Sequence, residues 1–160
     1  MRFIIATLLL VILYSLCPAG AFAYDSDGNL DSADIARLRV QADKGDPEAQ
    51  YDLGEAYLKG EGVVQSEKEA AKWYYRSAMQ GYVDGQIAMG FVYRGGNGMQ
   101  MDKVLSYMWF DLATKNGSSE AFSLRNDEAW SMTQSEIDDA RAKSHKWQPQ
   151  PEKGHYQNDE

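Results

Sequence analysis

The chain has very little of what catalytic and disulfide-built domains depend on. Among 160 residues there is one cysteine, Cys17, and there are two histidines, His145 and His155. Neither histidine has the spacing of a metal pair, and no serine is joined by an evident base and orienting acid. Cations are also scarce, with 16 Lys and Arg against 24 Asp and Glu for a net charge of -8. Such a surface repels phosphate backbones and anionic headgroups, so nucleic acid is not an expected partner. The adjacent acids Asp138 and Asp139 point in different directions on a helix and read as a solvated face. Asp25, Asp27 and Asn29 imitate the start of a calcium loop, but Leu30 stands where the turn needs glycine and Ala36 where a bidentate glutamate is needed. The sequence therefore nominates no catalytic, cofactor-binding or metal-binding residue.

The N-terminal segment supplies the one long apolar run. Arg2 precedes an apolar stretch from Phe3 to Leu16, then Pro18 and the small-residue pattern Ala21-Phe22-Ala23. This predicts a secretory signal peptide over 1–23, cleaved after Ala23, and a periplasmic or secreted product. The run is shorter than the roughly 20 residues a spanning helix needs, so no stable membrane insertion is expected after cleavage. Leu16 occupies the place where a lipid-attachment motif wants a small residue, which argues against lipidation at Cys17. Cleavage also removes the only cysteine, so the stability of the remaining chain is expected from packing alone.

Glycine carries the main positive signal. Gly45, Gly81 and Gly117 stand 36 residues apart, and the residues between them keep step: Leu53 with Met89, Gly54 with Gly90, Tyr57 with Tyr93, Gly60 with Gly96, Gly62 with Gly98, Trp73 with Trp109. A period of this size marks stacked supersecondary units that cannot bury their apolar faces alone. Each unit reads as a helical hairpin. Asp46 and Pro47 open a first helix over about 47–59, closed by Gly60. Ser66 and Glu69 have capping-box spacing, and Ala70, Trp73, Tyr74, Ser77 and Ala78 form the inward stripe of a second helix. The grammar repeats with helices over about 83–94 and 103–116, the latter capped by Asp102. Gly54 and Gly90 lie inside helices, where glycine costs about 1 kcal/mol relative to alanine. This predicts close approach of a partner helix or of a ring such as Trp73 or Trp109.

The string from Ala49 to Val63, with Ala70-Ala71-Lys72-Trp73-Tyr74 and Ala78-Met79-Gln80-Gly81, resembles a Sel1-like repeat, a relative of the tetratricopeptide repeat. The second unit departs mildly, with Met99 where the family usually has valine and Ser106 where it usually has alanine. The resemblance implies an all-α solenoid of about six helices after the signal peptide. It divides into a leading half-repeat over 31–44, repeats over 45–80 and 81–116, and a divergent closing unit over 117–147. In the closing unit Arg125 and Asn126 replace the Leu-Gly pair, and Thr133 with Glu136 caps a last helix bearing Ile137, Ala140, Ser144 and Trp147. Residues 148–160, with Pro149 and Pro151, read as a disordered tail.

For function, the resemblance implies a non-enzymatic adaptor of the bacterial envelope, monomeric and without cofactor, holding a protein or peptide on the concave side lined by the first helices. Non-consensus positions there are Asp52, Glu55 and Lys59 in one unit and Ala88, Phe91 and Arg94 in the next. Phe91, in the slot of Glu55, suits either a binding anchor or inter-repeat packing. Two alternatives accompany this reading. Cysteine-rich relatives are associated with penicillin binding and β-lactam hydrolysis, although this chain has no Ser-x-x-Lys motif. A self-assembling structural module is the other.

Overall fold

The computed structural model describes residues 32–152. The expected signal peptide, the calcium-loop imitation at Asp25–Asn29 and His155 lie outside them. Seven helices and no strand occur among the described residues: α1 Ser32–Asp43, α2 Pro47–Lys59, α3 Glu67–Met79, α4 Val83–Gly95, α5 Lys103–Lys115, α6 Ser119–Ala129 and α7 Gln134–Lys146. The count is one above the expected six, because the closing unit contributes two full helices and the leading half-repeat one.

Helix starts follow their caps. The Asp46 carboxylate accepts from the backbone N–H groups of Glu48 and Ala49 at 3.0 and 3.2 Å, satisfying donors the first turn cannot use itself. Asp102 accepts from Leu105 N–H at 2.9 Å and Ser118 from Ala121 N–H at 3.1 Å. The reciprocal capping box forms at Thr133 and Glu136. At Ser66 only half of it forms, because the Glu69 side chain is engaged with Lys72 at 2.6 Å.

The three periodic glycines adopt one conformation, with φ of +94°, +91° and +95° at Gly45, Gly81 and Gly117. After each, the next N–H reaches back to a carbonyl five residues earlier: Asp46 to Gln41, Tyr82 to Ser77, Ser118 to Ala113. This left-handed helix end turns the chain sharply from the second helix of one unit into the first helix of the next.

The helix-interior glycines have the expected kind of cause but a different ring. A Cβ on Gly54 would lie 2.6 Å from the Tyr74 ring, and one on Gly90 would overlap the ring of Phe110. The residues named in advance were one position away, Trp73 and Trp109, and a one-residue step turns a side chain by about 100° round the helix. Trp73 instead packs against the apolar cluster formed between α1 and α2 and stacks under the Arg76 guanidinium at 4.4 Å. Trp109 is buried between Tyr75 and Trp147, with ring centroids 6.3 and 6.2 Å away.

Consecutive helices pack pairwise from α1 to α6, so each unit buries the apolar face of the last. Within a layer, α2 touches α4 directly, and α3 meets α5 through the Tyr75–Trp109 ring contact; the side on which α2 and α4 lie next to each other is called the inner face. α7 breaks the pattern by packing on α5 rather than on α6. Ser144 donates to Asp111 at 2.6 Å and Arg141 to the Tyr107 hydroxyl at 3.2 Å, while Ala140 is fully buried.

Of the tail expected to be disordered, residues 153–160 lie outside the described residues, and the described part departs from expectation. Residues 148–152 have no helix, yet they run back along the repeat turns as a strap. Pro149 lies against Gly81, Gln150 N–H donates to the Met79 carbonyl at 2.7 Å, and Glu152 lies against Gly45. From Pro149 to Glu152 an extended chain covers roughly 10 Å, about one helix-packing distance, so successive glycine turns meet successive strap positions. Polarity and proline content suggested disorder because they register only a lack of apolar groups. They miss a segment held by hydrogen bonds to the scaffold.

Candidate functional site

Between the parallel helices α2 and α4 on the inner face lies a cleft of about 190 Å³. Its walls are Leu58, Ala70, Tyr74, Ala88, Phe91 and Val92, with Glu55, Glu67 and Asn97 at the edge. Ala88 leaves the cleft open, being a methyl group at a helix position where a larger side chain would fill it. Asn97 is brought there by the second glycine loop. Gly98, at φ +78°, lets this loop press onto the first turn of α3, where any Cβ would lie 2.9 Å from Lys68 Cα.

Phe91 is 43% exposed, and its inner edge meets Phe110 at 5.5 Å in a T-shaped contact. The packing it makes is thus with Phe110 of its own repeat, and its other edge is exposed at the cleft.

Glu55 faces the cleft with both oxygens occupied. Oε1 accepts from the Tyr74 hydroxyl at 2.6 Å and Oε2 lies 2.8 Å from Lys59 Nζ. Burial alone would raise its carboxyl, but these two partners hold it below the usual glutamate range. The Tyr74 phenol is pushed far up, by burial first and then by the Glu55 bond.

One turn earlier, Asp52 is half-buried and has no cationic ion-pair partner among the described residues. Burial raises its pKa to about 6, and the charges of Glu48, Glu55, Asp46 and Asp84 push the same way. Tyrosine rings lie beside it: Tyr51 sits 5.7 Å from Tyr74 and 5.9 Å from Tyr82, centroid to centroid. The phenols of Tyr51 and Tyr82 are each raised to about 12, by burial first and then by neighbouring carboxylates. The groove thus has an apolar end at Phe91 and an acidic, aromatic end at Asp52.

Of the six residues singled out from sequence, Glu55, Ala88 and Phe91 line the cleft, Asp52 stands one turn away, and Lys59 serves Glu55. Arg94 lies behind the cleft, its guanidinium 5.6 Å from the Phe91 ring centroid, with its hydrogen bonds turned away from the cleft. It donates to Glu128 at 2.5 Å and to the Leu124 carbonyl at 2.8 Å, in a separate hollow of about 590 Å³ between α4 and α6. Sequence reasoning missed Tyr51, Leu58, Tyr82, Asp84 and Asn97. Four of these lie on or beside the first helices, on the face shared with Asp52 and Glu55, and helical spacing from those two acids would have found Leu58 and Tyr51. Asn97 required knowing where the glycine loop folds. Among the described residues no group of three or more His, Cys, Asp and Glu could hold a metal ion, and no helix is long and apolar enough to cross a membrane.

Known proteins with this pattern are repeat proteins. The family described as Sel1 repeat matches residues 47–82 and 83–118. A sel1-like repeat-containing protein of Acanthamoeba polyphaga mimivirus is 30% identical over 87 residues, covering 54% of this chain and 16% of that protein. Chitin synthase regulatory factor 3 of Schizosaccharomyces pombe is 32% identical over 95 residues, covering 54% of this chain and 10% of that protein. The chain thus spans only a small part of the curated relatives it matches. Among solved structures, a protective antigen of uropathogenic Escherichia coli with an SLR fold superposes at TM-score 0.70 and 32% identity, covering 72% of this chain and 25% of its own. A Sel1 repeat protein from Oxalobacter formigenes superposes at TM-score 0.53 and 40% identity, covering 54% of this chain and 66% of its own.

Proposed function

The chain is a Sel1-repeat protein with an α-solenoid fold, and on that premise we propose that it is a non-enzymatic interaction scaffold of the bacterial envelope, binding a protein or peptide between α2 and α4. The carrying observation is the open apolar cleft beside half-exposed Phe91, on the inner face of a solenoid whose consensus positions are spent on packing. Rigid helices hold the cleft walls in place, so binding requires little ordering of the scaffold. A relative named as a regulatory factor and a structural neighbour described as a protective antigen are compatible with a binding role. Export is read from residues 1–23 alone.

Site-specific photo-crosslinking in the native envelope tests the reading. A crosslinker at Ala88 is expected to trap a discrete partner, while one at exposed Lys72 on α3 is not. Equal trapping from both sites, or none from Ala88, would overturn it.

A further inference from the structure

The cleft is too small for a drug-sized ligand, which needs roughly 300 Å³ or more, but it suits one apolar side chain of a bound chain. Leu58, Ala88, Phe91 and Val92 give it an apolar surface, and the charged groups in its lining, Glu55 and Glu67, are both carboxylates. What lies beyond the cleft along the groove decides what the neighbouring residues of such a segment can be.

At the Asp52 end the charges are of one sign. Asp52 is flanked by Glu48, Asp46 and Asp84, and Lys59, on the same helix, is bound to Glu55 at 2.8 Å. Glu55 therefore has little left to offer a ligand, whereas Asp52 and Asp84 have no ion-pair partner among the described residues. The rings of Tyr51 and Tyr82 stand among these acids and add the negative faces that attract a desolvated cation. A half-buried carboxylate in such company gains most from a cation that arrives with a partner.

We infer that the groove takes an extended peptide segment with an apolar side chain against Phe91 and a lysine or arginine against Asp52 and Asp84. The inference rests on the scaffold reading and names the chemistry of the partner. Asp52 and Leu58 are separated by about 9 Å along the axis of α2, which an extended peptide covers in about three residues. The recognised pattern is a cation and a large apolar residue spaced i, i+3. Such a segment satisfies the acidic end, which the chain leaves uncompensated, while burying the exposed edge of Phe91.

Fluorescence anisotropy with short synthetic peptides tests this on the purified full-length protein. Three probes share one backbone: Lys-x-x-Phe, Glu-x-x-Phe and Lys-x-x-Ser. The expected result is that Lys-x-x-Phe binds about tenfold or more tighter than either of the others. Asp52→Asn should remove most of the preference for lysine over glutamate, and added salt should weaken only the lysine probes. Phe91→Ala should remove the preference for phenylalanine. Equal affinity of the Lys and Glu probes, or an unchanged preference in Asp52→Asn with the helical signal intact, overturns the inference. Should the Glu probe bind and depend on Phe91, the cationic assignment fails while the scaffold reading stands. Failure of all three probes to bind overturns the inference, and the crosslinks at Ala88 then decide the scaffold reading separately.

Discussion

Arg76 and Glu152, on α3 and on the strap, are joined by two parallel hydrogen bonds of 2.8 and 2.7 Å from Nε and Nη2 to the two carboxylate oxygens. Gln50 donates to the same carboxylate at 3.1 Å and also to the Ala42 carbonyl at 3.0 Å. The C-terminal strap thus ties the leading helix, the first repeat and the closing helix into one body. In a chain whose only cysteine lies in the expected signal segment, this is a hydrogen-bonded substitute for a covalent staple.

Glu152→Gln should keep the shape of this contact and lose its charge. A partly exposed bidentate pair contributes about 1 kcal/mol, equivalent to about 3–6 °C in Tm for a domain of this size. Hydrogen exchange should locate the loss in α1 and the start of α2, with α5 unaffected. An unchanged Tm and unchanged protection in α1 would mean the strap does not hold the array.

Replacing a helix-interior glycine by alanine ordinarily stabilises a helix by about 1 kcal/mol. At Gly54 and Gly90 the sign should reverse, because Tyr74 and Phe110 fill the space and overpacking costs about 1–3 kcal/mol. Urea denaturation of Gly90→Ala should show a lower midpoint. Adding Phe110→Leu to it should cost less than Phe110→Leu costs alone.

Two carboxylates should respond to pH in opposite directions. The folded-state pKa of Asp52 is raised to about 6 from 3.8, so the folded chain binds the proton more tightly than the unfolded chain. Its contribution destabilises above pH 6 and is relieved as pH falls from 6 toward 4. Asp52→Asn should therefore stabilise the protein at pH 7 by about 1 kcal/mol after allowance for solvent screening, and by much less at pH 4. Glu152 is held low by Arg76, so its contribution is present above the ordinary glutamate range and is lost as pH falls through its lowered value. Denaturation midpoints of the two variants, followed from pH 7 down to about pH 2.5 so that the scan passes below the ordinary glutamate range, check both signs.

Most of the scaffold was legible because one principle, periodic stacking, writes itself into the sequence at fixed offsets. Asp46 and Asp102 act locally, and the structure has both as the helix caps the sequence indicates. The ring under Gly54 was misread by one residue because Trp73 and Tyr74 are both large aromatics, and only the three-dimensional register decides which meets the glycine. The strap was invisible because its partners, Arg76 and Gln50, are distant in sequence and its own residues are polar. The groove was half legible. Phe91 stands out as the residue breaking the repeat, but the cluster of Asp52 with Asp84 and Tyr82 joins two repeats and appears only when α2 and α4 are packed side by side.

The central claim is that the inner cleft is where a partner is held, and filling it is the most direct test. Ala88→Trp should plug the cleft from a half-buried position without entering the core, and its helical circular dichroism should match the wild type. Captured from envelope extract with immobilised protein, the partner crosslinked at Ala88 should fall about tenfold or more on the Ala88→Trp matrix. Full recovery of that partner by a folded Ala88→Trp protein would contradict the account.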